Sequence, residues 1–359
     1  MWLRDKFFKY ALSIIAVLLI IFLMGKVSFV LVPILELIAV LFLPLVVAGL
    51  LYYLLRPLVR LIGKTKINRS IGILLLFALL IAIFALLGAY SGSLISKQLT
   101  QLTSNLPSIV LDAQTKITEL IKDNKLGSYF DSKLQEQATK AIESIGPVIA
   151  NNIFGAFTAL TSIATVLIMV PFILFFFLRD DYIFIGRILS WIPKRFRKEA
   201  DTILVEVDKT LEVYIIGQAL LALILGILTY IGYMIIGLPY ALILALFAIM
   251  TSFIPMFGSA IGIIPAMLVG LSNGPLMVLK VLIIMIAINQ LEGNLISPFL
   301  VGKRLDIHPL VLILLFLVAA SFYGFIGMLI AVPTYAVCKV IIKNIIQIYK
   351  TKREEHNFE

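Results

Sequence analysis

The chain has 359 residues, of which 61% are hydrophobic and only 14% charged, with a mean hydropathy of +1.09 and a formal net charge of +10. A soluble domain lies closer to half apolar and a quarter charged, whereas here runs of about eighteen or more apolar residues recur, each long enough to cross roughly 30 Å of hydrocarbon. These runs are continuous, which excludes a transmembrane β-barrel built on alternating segments of about ten residues; the fold class is an all-α polytopic membrane protein with eight hydrophobic segments.

Arg4, Lys6 and Lys9 precede the first run, roughly Tyr10 to Phe29, with no small-residue cleavage site, so it reads as an uncleaved first span. Lys26 and Pro33 mark a turn, and the second span runs from about Ile34 to Leu55 around Pro44. Arg56, Arg60, Lys64, Lys66 and Arg69 follow without an acid. That loop is the strongest cytoplasmic signal in the chain and puts the N-terminus on the same side. The third span, Ser70 to Tyr90, leads out to the one long polar segment, Ser91 to Asn152, with six lysines and six acids. Apolar stripes at Ile117, Leu120 and Ile121 and at Leu134, Ala138, Ala141 and Ile145 predict amphipathic helices broken near Gly127. They form a helical cap lying on or projecting from the membrane.

The fourth span, Ile153 to Leu178, returns the chain to the cytoplasm. Trp191 beside Lys194, Arg195, Arg197 and Lys198 reads as an interfacial anchor. Residues 199–213 set Ile203, Leu204, Val207 and Leu211 opposite Glu199, Asp201, Glu206, Asp208 and Lys209, an amphipathic helix with a solvated acidic face. It runs into the fifth span, Leu211 to Ile236, where Gly217, Ala222, Gly226 and Gly232 allow close helix approach and Gln218 would be costly toward lipid. Five regions follow: 1–90 with three spans, 91–152 as an extracytoplasmic helical insert, 153–210 as fourth span plus cytoplasmic helix, 211–345 as the transport core, and 346–359 as a frayed cytoplasmic tail.

Tyr240 to Leu271 and Leu310 to Val340 are too long for one straight span each, with TSFIPMFGSAIG and SFYGFIG at their centres. Either each is one tilted or kinked span, giving eight spans, or each is a re-entrant hairpin, giving six full spans and two hairpins. Both keep the termini inside. Only the hairpin arrangement puts Lys303 and Arg304 in the cytoplasm, which fits the charge rule better.

Between these segments lies a polar interruption, Asn289 to Pro309. Gln290, Glu292 and Asn294, spaced by two, would fan over about 200° of a helix, so they belong where a span opens, with Gly293 relaxing the backbone. A carboxylate at membrane depth needs a cation, a proton or hydrogen-bond donors. Glu292 is therefore a proton, cation or solute site, or else an interfacial partner of Lys303 or Arg304. His308 before Pro309 either caps a helix or titrates during transport. Pro255 and Gly258, and Gly324 and Gly327, bend the chain or free backbone groups for an ion or polar solute. The binding or gating candidates are thus Gln218, Pro255, Gly258, Gln290, Glu292, Asn294, Lys303, His308, Gly324 and Gly327. GxxxxGK[ST] and HExxH are missing, so no ATP motor, enzyme, metal or cofactor is expected. The basic excess suits membrane lipids rather than nucleic acid, and the lone Cys338 forms no internal disulfide.

Several stretches carry a resemblance: Tyr214-Ile-Ile-Gly-Gln218, Gly237-Leu-Pro-Tyr-Ala241, Phe253-Ile-Pro-Met-Phe-Gly258, Gln290-Leu-Glu-Gly-Asn294, Ser297 to Lys303, His308-Pro309, Gly324-Phe-Ile-Gly-Met328 and Ala331-Val-Pro333. In these the chain resembles the AI-2E, or autoinducer-2 exporter, family of transporters. The resemblance implies a bacterial plasma-membrane permease, drawn with eight segments and both termini cytoplasmic. It further implies export of a small polar solute such as autoinducer-2, or exchange of sodium or lithium for protons; a homo-oligomer and a non-transporting scaffold are the remaining expectations. Two positions depart from the family pattern: Ile216 stands where arginine is common, and Ser259 where proline is common.

Overall fold

The computed structural model describes residues 28–64, 66–123, 164–255, 257–300 and 307–357, with scattered positions between 12 and 23 and Lys140. Hydrocarbon supplies no hydrogen-bond partners, so each apolar run closes its backbone bonds within itself as helix. Helix α1 is Ser28–Ile62, α2 Arg69–Asp123, α3 Ala164–Arg179 and α4 Asp181–Trp191. A 3-10 turn, Lys194–Phe196, leads to α5, Arg197–Ile235. Then come α6 Ala241–Ser252, α7 Gly258–Asn273, α8 Pro275–Leu291, a π turn Glu292–Ile296, α9 Ser297–Leu300 and α10 Pro309–Asn357. No strand occurs among the described residues. Five stretches are long and apolar enough to span a membrane and three shorter apolar helices accompany them, an all-α polytopic membrane architecture.

The α2 helix does not stop at Tyr90. It runs unbroken for 55 residues to Asp123, about 80 Å at 1.5 Å per residue. Its first turns pack with α1 and α3 around Ala48, Leu55, Ile73, Leu76, Leu174 and Leu178. Its later turns, Leu102, Leu106, Ile109 and Ala113, pack on Tyr233, Leu244, Val269 and Met285. Asn105 Nδ2 donates to the Tyr240 hydroxyl at 3.1 Å. The first part of the polar segment is therefore wall of the core rather than a projecting cap; the stripe at 134–145 and the break at Gly127 lie outside the described residues, as does most of the first span. At the other end, the tail stays helical to Asn357 instead of fraying.

Both overlong segments double back. In the first, α6 and α7 lie side by side, joined through an elbow whose described residues are 253–255 and 257. A Cβ added to Gly258 would stand 2.3 Å from the Thr251 carbonyl oxygen, and one on Gly262 would stand 2.9 Å from Thr251 Oγ1. In the second, α10 loses helical geometry at Tyr323 and Gly324, the latter at φ 57°, a conformation glycine adopts without steric cost. A Cβ on Gly327 would lie 2.1 Å from the Ala319 carbonyl oxygen. Residues eight apart on a straight helix are about 12 Å apart, so the chain has reversed. Leu312 and Phe316 of the first arm accordingly pack with Ala331 and Val332 of the second. By length, Pro309–Ile348 could cross a membrane as one helix; the reversal makes it two arms.

The small residues of α5 act as their spacing predicts. A Cβ on Gly226 would meet Ile249 Cγ1 at 1.9 Å, and one on Gly232 would meet Ile284 Cγ2 at 2.5 Å. Only a hydrogen at these positions lets α6 and α8 close on α5.

Candidate functional site

Helix α5, the first elbow, the π-turn region and α10 surround a cavity of about 450 Å³. From α5 come Tyr214, Gln218 and Leu221; from the elbow and the start of α7, Pro255 and Ser259. Asn289, Glu292, Gly293 and Ser297 line it from α8 through α9, and Ile307, Leu312 and Val332 close the apolar side. The mixture is that of a small-molecule site: mostly apolar walls with a few convergent polar groups.

The helix at Glu292 does not open into loop. Its backbone stays helical and widens by one residue per turn, with the Ser297 N–H donating to the Glu292 carbonyl five residues back. Pro298 explains the widening, because its ring cannot donate and crowds the carbonyl four residues earlier. Such π bulges mark functional sites in many helices. The turn brings Asn289, Glu292, Gly293 and Ser297 to one wall. Gln290 and Asn294 instead bond each other, Nδ2 of Asn294 donating to Oε1 of Gln290 at 2.8 Å on an exposed face. Glu292 is half-buried and has no ion pair among the described residues; Lys303 and Arg304, its alternative partners from sequence, both lie outside them.

Gln218 holds the elbow. Its Nε2 donates to the Ser252 carbonyl at 2.6 Å, and both residues are buried. Four residues earlier, one helical turn, Tyr214 is 6% exposed and its hydroxyl has no hydrogen-bond partner among the described residues. Tyr214 and Gln218 also form part of a second cavity of about 250 Å³, otherwise apolar, between α1, α5 and α10.

Of the sequence candidates, Gln218, Pro255 and Glu292 share the cavity. Gly258, Gly324 and Gly327 shape the two reversals without lining it. His308 is exposed and caps α10, its Nδ1 accepting from the Leu310 N–H at 3.3 Å. Tyr214, Ser259, Asn289 and Ser297 were missed. Their signal was helical spacing: Tyr214 and Gln218 are four apart, and Asn289, Glu292 and Gly293 are three and four apart, whereas the every-second-residue pattern drew attention to Gln290 and Asn294.

A second polar cluster was also missed. Arg56 is 7% exposed rather than a solvated loop cation. Its Nη1 sits 2.8 Å from Asp208 and 3.4 Å from Glu212, and its Nη2 3.0 Å from Asp181. Arg60 pairs with Glu212 at 2.9 Å and Arg69 with Asp181 at 3.2 Å. Tyr52 and Tyr53 donate to Asp181 and Asp208. Burial pushes the Asp181 carboxyl up, but the Tyr52 hydrogen bond and the Arg56 and Arg69 guanidinium groups outweigh it and hold the carboxyl below the usual carboxylate range. The acidic face of α5 is thus partly a docking face for α1. Sequence could not pair charges more than a hundred residues apart.

The chain matches the family described as AI-2E family transporter over residues 12–347. It is 38% identical to YueF of Bacillus subtilis (strain 168) over 361 residues, covering 98% of this chain and 96% of the relative. YrrI of the same strain is 32% identical over 321 residues, 88% of each chain. YhhT of Escherichia coli (strain K12) is 24% identical over 298 residues, 80% of this chain and 79% of the relative. A multi-pass helical membrane architecture, two doubled-back apolar segments and a family match along nearly all of its length lead to one conclusion: this chain belongs to the AI-2E family of transporters.

Proposed function

We propose that this protein is a secondary transporter that exports a small polar solute, with autoinducer-2 the first solute to test. The observation that carries the reading is the cavity of about 450 Å³. It lies beside the elbow between α6 and α7 and against both arms of α10, and it gathers hydroxyl, amide and carboxylate groups. No lysine, arginine or histidine lines it among the described residues, so it suits a neutral or cationic solute over an anion. The two reversals support entry as re-entrant hairpins with both termini in the cytoplasm, because that arrangement also sets the 56–69 cations and Lys303 on the cytoplasmic side. The test is efflux of autoinducer-2 from loaded proteoliposomes, with and without an imposed proton gradient. Efflux no faster than from protein-free vesicles under both conditions overturns this reading.

Glu292 favours a second reading, sodium or lithium exchange for protons. A half-buried carboxylate without an ion pair among the described residues can take a proton or a monovalent cation in turn. Lithium or sodium added to acid-interior everted vesicles then collapses the proton gradient; no collapse at any pH removes this reading.

A further inference from the structure

We propose that Tyr214 is a solute-binding residue, its hydroxyl completed by an oxygen or nitrogen of the polar solute in the cavity beside Gln218. The inference rests on the reading of that cavity as the transport site. It deepens that reading by naming a group absent from the sequence candidates.

Tyr214 is 6% exposed, yet its hydroxyl has no partner among the described residues. Buried hydroxyls in folded proteins nearly always have one, and each exception calls for an explanation. The other buried polar residues near it are satisfied. Gln218 donates to the Ser252 carbonyl, Ser252 Oγ to the Ala248 carbonyl, and Thr251 Oγ1 to the Ala248 and Phe247 carbonyls. The Tyr214 hydroxyl is the one buried side-chain oxygen without a partner among the described residues, and its residue lines the cavity.

A structural explanation would be an aromatic ring needed for packing, with the oxygen incidental. The ring does pack, against Ile215, Ile254, Leu312 and Val332. Phenylalanine would serve that purpose without desolvating an oxygen. A phenol gains over phenylalanine only where something polar meets it. Here the polar wall of Asn289, Glu292 and Ser297 lies around the same space. The phenol both donates and accepts, so it can meet a carbonyl, hydroxyl or amine on a neutral or cationic solute.

The test compares wild type with Tyr214→Phe in proteoliposomes, using autoinducer-2 efflux and lithium-driven proton exchange as the two assays. Loss of one neutral hydrogen bond predicts a KM roughly 3- to 10-fold higher with kcat within about twofold, and an unfolding temperature equal to or above wild type. An unchanged KM in whichever assay wild type supports overturns the proposal while leaving the transport reading intact. If wild type shows neither activity, the transport reading has failed and the Tyr214 assignment falls with it. Where wild type is active, a second measurement checks that the cavity reaches Tyr214. In a Cys338→Ala background, Tyr214→Cys is treated with 2-aminoethyl methanethiosulfonate, with the exposed Asn294→Cys as reference. Reaction at 214 within about tenfold of the rate at 294 keeps the residue on a solute-accessible cavity and supports the assignment. No reaction at 214 while 294 reacts overturns it.

Discussion

Gln218 and Ser252 are 34 positions apart in sequence, and the side chain of the first donates to the backbone carbonyl of the second at 2.6 Å, with both buried. This bond ties the last turn of α6 to the middle of α5. Beyond it the chain turns at 253–255 against the cavity instead of continuing as helix. Replacing Gln218 with leucine keeps the volume and strands the Ser252 carbonyl. An unsatisfied buried acceptor costs about 1–3 kcal/mol. The expected result is a lower unfolding temperature in detergent together with reduced transport. A Gln218→Leu protein as stable and active as wild type would show that the bond does not position the elbow.

Gly327→Ala tests the second reversal. Its added Cβ would stand 2.1 Å from the Ala319 carbonyl oxygen, and backbone cannot move aside as a side chain can. We expect a loss of about 1–3 kcal/mol or more, seen as poor yield of folded protein. Gly88→Ala is the matched control, since nothing lies within 4 Å of a Cβ there. It should be neutral or stabilising by up to about 1 kcal/mol in a helix interior. Equal effects of the two changes would count against the hairpin.

Sidedness of the hairpins is an expectation from charge. Two re-entrant hairpins leave Lys303 on the cytoplasmic face, and two full crossings leave it outside. A Lys303→Cys protein in the Cys338→Ala background should react with an impermeant maleimide only after cells are permeabilised. Labelling in intact cells refutes the re-entrant arrangement.

Glu292→Gln should insert and fold as wild type while lowering transport at least tenfold. The side chain keeps its size and loses its charge. If Glu292 merely paired with Lys303 at a wet surface, the pair would be worth at most about 1 kcal/mol and the variant should work. In a half-buried cavity the charge itself is needed to take up a proton or cation. Glu292→Asp should keep part of the activity. Initial rates across several pH values decide the matter, and equal rates for wild type and Glu292→Gln at every pH remove Glu292 from the mechanism.

Acid should loosen the contact between α1, α4 and α5. The Asp181 carboxyl is held below its ordinary value by Tyr52, Arg56 and Arg69 in spite of its burial. A depressed carboxylate contributes stability that is fully present above its unfolded value of about 4 and is lost as pH falls through its lower folded value. Stability should therefore be flat on this account from pH 6 to 8 and fall below about pH 4. Asp181→Asn should be less stable at neutral pH and lose part of that acid dependence. Arg56→Met should cost more, about 3–5 kcal/mol, because it leaves Asp181 and Asp208 together without their shared cation. Thermal unfolding at pH 7 and pH 4 measures all three.

Much of this protein can be read from sequence because a membrane makes composition decisive. An apolar run in hydrocarbon has to be helix, so hydrophobicity and length determined the class. The excess length of Tyr240 to Leu271 and Leu310 to Val340, with glycine and proline at their centres, pointed to the reversals. Choosing between kinked crossings and doubled-back arms needed the tertiary structure, because only side-by-side packing of Gly258 on Thr251 and of Gly327 on Ala319 excludes a straight path. The continuity of α2 past the third span was not legible, because polarity after Tyr90 marks departure from an apolar medium and says nothing about where a helix stops. Glu292, Gln218 and Pro255 were legible as polar or helix-breaking residues in an apolar region. Tyr214 was not, since an aromatic in a span looks the same whether its hydroxyl is satisfied or bare. Arg56 was hidden for a related reason: a cation beside a span reads as a topology signal, and its acids, Asp181, Asp208 and Glu212, reach it only when α4 and α5 fold back on α1. Sequence determines what each residue can offer; the fold decides which residue it is offered to, because contacts between distant segments depend on how the helices turn and pack.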